Sequence, residues 1–549
     1  MIKSHICGME EPPLIEKTIG ELLDDTAVRH GDRVALIVRH QAVRWSYAEL
    51  AARVDALARG LAARGLKPGD RVGIWAPNCA EWVLTQFATA RAGLILVNIN
   101  PAYRTAELEY ALNKAGCAAL VMAPSHKASD YVAMLVELAP ELREAVPGKL
   151  HAARLPNLKL VASLGDTEYP GFLPFETLAA GAEAALPDDL HPDDPINVQF
   201  TSGTTGFPKG ATLSHRNIVN NGYFVGHRIA LGVDERVCIP VPLYHCFGMV
   251  MGNIACVAHG ATMVYPAEAF DPLAVLETVA AERCTALYGV PTMFIAVLNH
   301  TEFARFDLSS LRTGAMGGSP CPAAVMREVM AQMHMREVTI AYGMTETSPV
   351  SFQSDRDDPI DLRVSTVGRI QPHLEVKLVD PAGNIVSRGA TGELCTRGYS
   401  VMLGYWNDPD RTAEAIDAEG WMHSGDLATI DDAGYCRIVG RIKDMVIRAG
   451  ENIYPREIEE YLLTHRAIAD AQVIGVPDEK YGEELCAWIV LHAGFTLTED
   501  DVRDHCRGRI SHFKIPRHIR FVQNYPMTVT GKVQKFAMRD EMIRLLNAE

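Results

Sequence analysis

The first 180 residues alternate between two hydrophobic periods. Apolar positions recur at helical spacing over 47–64 and again over 81–92, whereas the short apolar runs at 71–76, 94–99 and 119–123 are typical of buried strands. Strand, helix and strand in this close order predict a parallel sheet with helices on its faces, which is the arrangement of an α/β protein.

Two later changes of pattern indicate how the chain is divided. The segment 181–197 is acidic and proline-rich, and we interpret it as a connection between subdomains. Another boundary falls near 440–444, and the domain-sized segment after it has predicted helices at 455–465 and 499–507 and strands of its own. A length of 549 residues also exceeds what one hydrophobic core usually organises, so two or more domains are expected.

The composition is that of an ordinary globular protein, with 48% hydrophobic and 22% charged residues. The net charge of −16 argues against a nucleic-acid surface. The twelve cysteines include no C-x-x-C pair, which predicts neither a zinc knuckle nor a disulfide framework. Histidines, an asparagine and glycines interrupt the apolar tract 237–265, so it indicates buried core and not a membrane span. Since the N-terminus also lacks the apolar stretch of a secretory signal, we expect a soluble, cytoplasmic protein.

The stretch FTSGTTGFPKG at 200–210 has the composition of a phosphate-binding loop. It follows a predicted strand and supplies four hydroxyl groups, three glycines and a lysine. Glycines let the backbone approach an anion closely, while hydroxyls donate hydrogen bonds and the lysine adds a positive charge. The spacing is not that of the P-loop of kinases and GTPases, in which lysine directly follows the last glycine. The residues expected to contact phosphate are Thr201, Ser202, Gly203, Thr204, Thr205, Gly206 and Lys209.

This loop is the first of eight segments that occur together in one order. They are TSGTTGFPKG (201–210), PLYHCFG (242–248), GAMGGSP (314–320), AYGMTET (341–347), GELCTRGYSVMLGYW (392–406), GWMHSGDLA (420–428), GRIKDMVIRAGENIYPREIE (440–459) and PMTVTGKVQK (526–535). With these segments the chain resembles the adenylate-forming enzymes, specifically the acyl-CoA synthetases related to firefly luciferase and to the adenylation domains of peptide synthetases. The resemblance implies a large N-terminal AMP-binding domain with parallel sheets over 1–441, a hinge at 442–444, and a small, mobile α+β domain over 445–549.

The resemblance also implies an ATP-dependent acid:CoA ligase that works in two steps. A carboxylate and ATP first form acyl-AMP and pyrophosphate, and the thiol of coenzyme A then displaces AMP. Because the carboxylate and the phosphates repel each other, positioned cations must neutralise them. Lys532 matches the family lysine that bridges the carboxylate and the α-phosphate, Glu346 matches the Mg²⁺ ligand, and Thr345 matches an α-phosphate contact. The Thr345–Glu346 pair also fits a helix N-cap followed by an acid in the first turn.

Other matched residues would bind the adenosine of ATP. Tyr342 matches the aromatic ring that stacks on adenine, although a core tyrosine fits the local pattern equally well. Asp426 matches the acid that accepts hydrogen bonds from both ribose hydroxyls, and Arg441 matches a further ribose contact. Three matched glycines would let the backbone pass close to the ligands. They are Gly317, Gly318 and Gly343.

In the family, the small domain rotates between the two steps. The pivot matches Lys443, which lies two residues after the arginine of the GR pair. After rotation the loop at 449–452 would replace Lys532 at the site. Gly450 would then line the tunnel for the pantetheine arm of CoA, with Asn452 in the same loop.

The expected acyl pocket is close to the segment 242–248. His245 matches a family position between the acyl pocket and the thiol tunnel, although a core histidine fits nearly as well. The residues expected to line the pocket with it are Phe247, Gly248, Met249 and Gly252. An amino-acid substrate would need an acid here for its ammonium group, yet 240–255 and 314–323 contain no Asp or Glu. An uncharged, hydrophobic carboxylic acid is therefore favoured.

The segment VNINPAYRTAELEYALNKAGC at 97–117 is similar to bacterial relatives that handle medium- and long-chain fatty acids. We expect a medium-chain fatty acid. Aryl-CoA ligases share much of this pattern and are one alternative, transfer of the acyl group to a carrier protein is another, and a nucleotide-binding protein without catalysis is an alternative of a different class. The expected partners are a small carboxylic acid, ATP with Mg²⁺, and coenzyme A, with no nucleic acid and no transmembrane segment. The oligomeric state is left open, a homodimer included.

Overall fold

The computed structural model of the chain describes residues 2–180, 183–201, 208–319, 321–448, 451–527 and 533–546. The chain divides into two compact units. The larger unit comprises Ile6–Glu375 and Thr396–Met422, and the smaller unit comprises Met1–His5, Val376–Cys395 and His423–Glu549. The two units are defined by how the residues pack, whereas the expected domain limits at 441 and 445 enclose the hinge about which the small domain would rotate. Those domain limits therefore stay a prediction.

Several helices of the larger unit begin at local capping signals. The helix Tyr47–Ala63 starts after Ser46, whose hydroxyl accepts a hydrogen bond from the backbone N–H of Glu49, while the Glu49 carboxylate accepts one from the N–H of Ser46. Its buried leucines and valine recur at helical spacing, which confirms the helix predicted over 47–64. The other helices of this unit are Ile19–His30, Ala80–Arg91, Thr105–Ala115, Tyr131–Leu138, His215–Arg228, Ala255–His259, Pro272–Glu282, Pro291–Leu298, Ala323–Gln332, Ile360–Ser365 and Pro409–Ala415.

An eight-stranded sheet of the larger unit confirms the predicted parallel arrangement. Its first six strands run parallel, and the last two pair antiparallel with their neighbours. In spatial order the strands are Leu173–Pro174, Leu160–Ser163, Cys117–Met122, Arg71–Trp75, Ile95–Asn98, Pro195–Thr201, Lys209–Ser214 and Gly404–Tyr405.

A nine-stranded sheet in the same unit has six parallel strands at its centre and antiparallel strands at both edges. In spatial order its strands are Arg369–Ile370, Val350–Gln353, Glu337–Gly343, Thr313–Gly317, Ala286–Gly289, Arg236–Cys238, Thr262–Tyr265, Val34–Val38 and Val43–Ser46. Because parallel strands end at the same edge of a sheet, this topology brings the residues that follow Thr313–Gly317 and Glu337–Gly343 together. A two-stranded hairpin, Ser125–His126 with Ser129–Asp130, completes the strands of the unit.

The apolar tract 237–265 forms buried structure, as predicted. After the strand Arg236–Cys238, the chain continues into a π-helix, Phe247–Ile254, whose residues are all buried, and then into the helix Ala255–His259. The wider π turn is not what the sequence predicts, since Gly248 and Gly252 occur at ordinary helical spacing. Among the described residues, no helix is long and apolar enough to cross a membrane.

Two five-stranded sheets contain most of the strand residues of the smaller unit. The first has the strands His5–Cys7, Leu374–Val379, Gly392–Gly398, Met422–Ile430 and Cys436–Arg441. The second has Glu451–Ile453, Val446–Arg448, Gly482–Leu491, Ile468–Asp478 and, parallel to Gly482–Leu491, His518–Phe521. Its helices are Pro455–Leu462, Glu499–Cys506 and Lys535–Leu546. The first two helices confirm those predicted to begin at 455 and 499, and both end earlier than predicted, by three residues and by one.

Candidate active site

The two ends of the predicted phosphate loop lie side by side. The strand Pro195–Thr201 pairs antiparallel with Lys209–Ser214, and Thr201 lies directly opposite Lys209. A loop that leaves one strand and enters its neighbour exposes its backbone at the strand ends, where ligands bind in open α/β sheets. The residues 202–207, which include the predicted contacts Ser202, Gly203, Thr204, Thr205 and Gly206, lie outside the described residues.

Glu346 is a buried carboxylate that accepts hydrogen bonds only from neutral donors among the described residues. It comes shortly after the strand Glu337–Gly343, and the residue is 7% exposed. Oε1 accepts a hydrogen bond of 2.8 Å from the Tyr405 hydroxyl and a longer one of 3.4 Å from Thr201 Oγ1. Within the described part of the chain, no cation pairs with it. A buried carboxylate without a cationic partner is costly, and two hard oxygens beside a phosphate loop are the donor type that Mg²⁺ prefers.

Lys209 supplies the complementary charge. Its ammonium lies 4.8 Å from the centre of the Tyr405 ring, a cation–π contact, and it makes no hydrogen bond or ion pair with the residues that the structure describes. Tyr405 therefore contacts both charged groups, Glu346 through its hydroxyl and Lys209 through its ring. An anion can bind Lys209 without first displacing an acidic partner from the described residues.

Tyr405 is a site residue that the sequence analysis did not single out. Burial, followed by the nearby Glu346 carboxylate, raises the pKa of Tyr405 well above its ordinary value, so the hydroxyl stays protonated and donates. The signal was present in the segment 392–406, which ends GYW, but an aromatic residue in a motif is most often a core residue. Only the pairing of Gly404–Tyr405 with the strand Lys209–Ser214 brings it to the site.

The expected adenine contacts lie at neighbouring strand ends. Gly317 pairs with Ala341, and a Cβ at Gly317 would lie 2.7 Å from the Ala341 carbonyl oxygen. Gly318 has φ +84°, a conformation that favours glycine. Tyr342 follows Ala341 and is half-buried, with its ring 6.4 Å from that of Phe352. The predicted Gly317, Gly318 and Tyr342 thus come together at one sheet edge.

Two further predicted residues have a clear place in the larger unit. Gly343 ends its strand, and a Cβ there would lie 1.7 Å from the Pro349 carbonyl oxygen, so packing alone requires glycine. Thr345 is buried at the start of a short 3₁₀ turn, Thr345–Thr347, that also contains Glu346. The Thr345–Glu346 pair is thus at the start of a helical turn, although Thr345 is its first residue and not its N-cap.

The two predicted ribose contacts meet in the smaller unit. Asp426 and Arg441 lie opposite each other on antiparallel strands, and Arg441 Nε donates to Asp426 Oδ1 at 2.9 Å. The Asp426 side chain is buried, whereas that of Arg441 is half exposed. The pair presents a charged acceptor and a charged donor together, which suits a diol.

The residues expected to line the acyl pocket lie in and beside the π-helix. Phe247 is buried with its ring 5.9 Å from that of Tyr288, and the Met249 sulfur accepts hydrogen bonds from the side-chain amides of Asn98 and Gln199. His245 precedes the π-helix, and its Nδ1 accepts a hydrogen bond from the Phe247 N–H. The eight residues of this helix, FGMVMGNI, are all buried and carry no formal charge.

The glycines of the π-helix differ in what surrounds them. A Cβ at Gly248 would lie 2.3 Å from the Pro242 carbonyl oxygen, whereas at Gly252 its first neighbour would be Ile239 Cδ1 at 3.1 Å. Gly248 is therefore fixed by backbone packing. Gly252 faces a side chain that can move.

The remaining predicted residues belong to the smaller unit. Lys443 lies in a 3₁₀ turn, Ile442–Asp444, where burial and, to a smaller extent, Arg441 lower its pKa below the usual value. Asn452 is in the strand Glu451–Ile453. Lys532 and Gly450 lie outside the described residues, so their expected roles stay predictions.

Comparisons with known proteins identify the family to which the chain is similar. The sequence model of the AMP-binding enzyme family matches residues 23–406, and that of the AMP-binding enzyme C-terminal domain matches 457–532. The medium-chain acyl-CoA ligase ACSF2, mitochondrial, of Danio rerio is 48% identical over 547 residues, which cover 98% of this chain and 90% of that protein.

Two solved structures are similar over nearly the whole chain. The anthranilate CoA ligase AuaEII in complex with anthranoyl-AMP has a TM-score of 0.86 at 26% identity, covering 98% of this chain and 99% of its own. ATP-bound MatB from Rhodopseudomonas palustris has a TM-score of 0.84 at 30% identity, covering 97% and 100%. Both are similar in fold as well as in sequence, and each holds an adenine nucleotide or an acyl-adenylate.

Proposed function

This chain belongs to the AMP-binding enzyme family, and we propose that the acid it activates is a medium-chain fatty acid. It is an AMP-forming acyl-CoA synthetase, which joins a carboxylic acid to coenzyme A with ATP as the energy source. In the first step a carboxylate oxygen attacks the α-phosphorus of ATP, and pyrophosphate leaves. In the second step the CoA thiol attacks the acyl carbon, AMP leaves and the thioester forms.

The observation that carries the site assignment is the arrangement of Glu346, Tyr405 and Lys209. The carboxylate is buried and accepts only from neutral donors among the described residues, and the ammonium lies over the ring of the same tyrosine. This pair suits a triphosphate with its metal ion, because the Glu346 carboxylate would hold the ion and the Lys209 ammonium would bind the phosphate. Mg²⁺, when bound, supplies neutralisation of the phosphate charge.

The other proposed roles come from the family motifs, and the positions of the described residues in the fold are compatible with them. Tyr342 with Gly317 and Gly318 would bind adenine at the sheet edge, and Asp426 with Arg441 would bind the ribose. We assign to Thr345 a contact with the α-phosphate. Lys532 would neutralise the attacking carboxylate and the α-phosphate during adenylation.

The adenylation lysine is tested by isotope exchange between ATP and pyrophosphate. The Lys532→Ala variant should lose exchange by at least a hundredfold, because the charges brought together in the transition state would lack their cation. Lys480→Ala removes a lysine from the surface of the same unit and is the control. Exchange that persisted in Lys532→Ala would show that another group supplies the charge.

The proposed substrate rests on the apolar surroundings of the π-helix. Phe247, Met249 and Met251 are buried there, and methionine side chains adapt to flexible chains. ACSF2, which is named as a medium-chain ligase, is 48% identical to this chain. AuaEII, named for an aromatic acid, is similar in structure at lower identity, so an aryl acid is the second candidate.

A panel of acids tests the proposal directly. We expect CoA-dependent release of AMP and pyrophosphate to be fastest, as kcat/KM, with saturated acids of intermediate length among those from acetate to palmitate. Benzoate and anthranilate provide the aromatic comparison. A wide preference for either aromatic acid would replace the fatty-acid proposal, while leaving the two-step reaction in place.

We propose free CoA as the acceptor and the cytoplasm as the location. None of the twelve cysteines, all of which lie in the described residues, forms a disulfide bond, which is typical of a reducing compartment. Free CoA and a phosphopantetheine-loaded carrier protein, offered separately to preformed acyl-AMP, distinguish the acceptors. Fractionation of cells that express the tagged full chain tests the location.

A further inference from the structure

Three metal-binding side chains meet on two neighbouring strands of the smaller unit. Glu393 and Cys395 occupy alternate positions of the strand Gly392–Gly398, so their side chains share one face. His423 lies on the adjacent strand, Met422–Ile430. The carboxylate, thiol and imidazole each offer one donor atom, and these atoms all lie within 4.8 Å of one another.

The distances between the donors resemble those around a tetrahedral metal ion. His423 Nδ1 is 3.0 Å from Glu393 Oε2 and 3.5 Å from Cys395 Sγ. With zinc bonds of about 2.0 to 2.3 Å, two donors of a tetrahedral site are separated by roughly 3.3 to 3.6 Å. These two separations are therefore already close to those that a zinc ion requires, and the third, between Glu393 and Cys395, is at most 4.8 Å.

The surroundings also suit a metal ion. Cys395 is fully buried, whereas the side chains of Glu393 and His423 are 20% and 32% exposed, so an ion and a water molecule can reach the cluster from one side. The second oxygen of Glu393, Oε1, accepts a hydrogen bond from the Gly425 N–H at 3.1 Å. Such outer contacts orient a metal-binding carboxylate.

We propose that Glu393, Cys395 and His423 form a zinc site, with water as the fourth ligand. One nitrogen, one sulfur and one oxygen donor are typical of Zn²⁺ and disfavour Mg²⁺ or Ca²⁺, which take oxygen ligands. Binding releases the Cys395 thiol proton to solvent, and His423 binds through Nδ1 with its own proton on Nε2. Because the thiol must lose a proton, the affinity for zinc rises with pH.

A bound zinc ion would restrict the motion of the short segment between His423 and Asp426. In the structure, the Ser424 hydroxyl accepts a hydrogen bond from the Asp426 N–H and donates one to the Leu394 carbonyl oxygen. An ion bound at His423 and Glu393 would cross-link this segment to the neighbouring strand. The site is separate from the proposed Mg²⁺ ligand Glu346, so its occupancy can be measured without ATP, acid or CoA.

Metal binding is measured on the full chain in a Cys7→Ser background, which removes an exposed thiol. We expect one Zn²⁺ per chain after dialysis, and with Co²⁺ an absorption band of thiolate-to-cobalt charge transfer. Cys395→Ser should abolish the band, and His423→Gln should weaken binding at least tenfold. Cys436→Ala removes a buried thiol from the next strand and should retain both signals.

Two results would overturn the proposal. One is the absence of a thiolate–cobalt band at saturating Co²⁺, and the other is a band that Cys395→Ser leaves intact. Thermal unfolding of each apo variant shows whether it is folded. If Cys395→Ser does not fold, His423→Gln is the deciding variant: loss of metal binding supports the zinc site, and retained binding overturns it. Neither outcome tests the proposed ligase reaction.

Discussion

At the scale of single residues, the Tyr405 hydroxyl makes the shorter of the two hydrogen bonds that described residues donate to the buried Glu346 carboxylate. The Tyr405→Phe variant keeps the ring over Lys209 and removes only this bond. A hydrogen bond to a charged acceptor contributes about 1.5 to 3 kcal/mol, so we expect kcat/KM for MgATP to fall about 10- to 100-fold. Isotope exchange between ATP and pyrophosphate measures this change in the adenylation step alone.

A matched control for Tyr405→Phe is available in the same unit. The Tyr244 hydroxyl is buried and has no hydrogen-bond partner among the described residues, so Tyr244→Phe should leave exchange within about twofold. Equal effects of the two variants would show that the hydroxyl of Tyr405 has no special relation to Glu346.

At the scale of elements, the two glycines of the π-helix should respond differently to alanine. Gly248→Ala places a methyl group 2.3 Å from the Pro242 carbonyl oxygen, which is backbone and cannot move aside, whereas Gly252→Ala meets side-chain atoms of Ile239 at 3.1 Å and beyond. Overpacking typically costs about 1 to 3 kcal/mol. We expect Gly248→Ala to lower the free energy of unfolding by about 1 to 3 kcal/mol or more, and Gly252→Ala to lower it by less than about 1 kcal/mol. Denaturant unfolding of both variants compares them, and a larger loss in Gly252→Ala would contradict the packing argument.

A buried histidine links the starts of two helices. His215 begins the helix His215–Arg228, and its Nδ1 accepts a hydrogen bond from the N–H of Ile19, the first residue of the helix Ile19–His30. Burial lowers the pKa of His215 to about 4, against the small opposing effects of Asp194 and Glu21. The unfolded chain binds this proton more tightly than the folded chain does. The contribution of neutral His215 to the free energy of unfolding is therefore complete above about pH 6.5 and is lost as the pH falls towards 4.

The predicted consequence is acid sensitivity that one substitution reduces. Between pH 7.5 and 5.5 protonation of His215 alone should lower the free energy of unfolding by about 1.3 kcal/mol. His215→Asn keeps an acceptor near the Ile19 N–H but does not titrate, so its melting temperature should fall less over this range than that of the unchanged chain. The exposed His227 of the same helix gives the control variant His227→Asn. An unchanged pH dependence in His215→Asn would exclude this histidine as the cause.

The helices that the sequence predicts correctly are those with local signals. Ser46 and Glu49 fix the start of one helix within four residues of chain. The π-helix has no such signal, because Gly248 and Gly252 fit an α-helix equally well. Its Met249 carbonyl accepts a hydrogen bond from the side chain of Gln86, more than a hundred and fifty residues earlier, and contacts of this kind are invisible in a local pattern.

At the scale of the whole molecule, the sequence predicts which residues form the site better than how they meet. Thr201, Lys209 and Glu346 were recognised from motifs. The contacts of Lys209 and Glu346 with Tyr405 depend on a short strand, Gly404–Tyr405, that pairs with the strand Lys209–Ser214 far away in the chain. The grouping of 376–395 with the C-terminal residues is likewise a result of packing and not of chain order. Motifs constrain chemistry, whereas long-range pairing decides geometry.

The two-step reaction makes its own demand on the chain, because one site must serve adenylation and then thiol attack. Lys443 lies in a 3₁₀ turn, and proline fixes φ near the value that such a turn already has. If this turn is the pivot, Lys443→Pro should restrict the change of conformation between the steps. We expect isotope exchange of pyrophosphate to persist within about threefold while acyl-CoA formation falls at least a hundredfold.

Lys443→Ala separates the pivot from the charge. It removes the same ammonium but leaves φ free, so both steps should stay within about threefold of the unchanged chain. Thermal unfolding checks that Lys443→Pro is folded. Equal losses in both steps, or no loss in either, would mean that the 442–444 turn does not control the change between them, and the pivot would have to be sought elsewhere in the chain. A loss confined to the thiol step places the control of the second reaction in this turn, because no residue that contacts ATP has been altered.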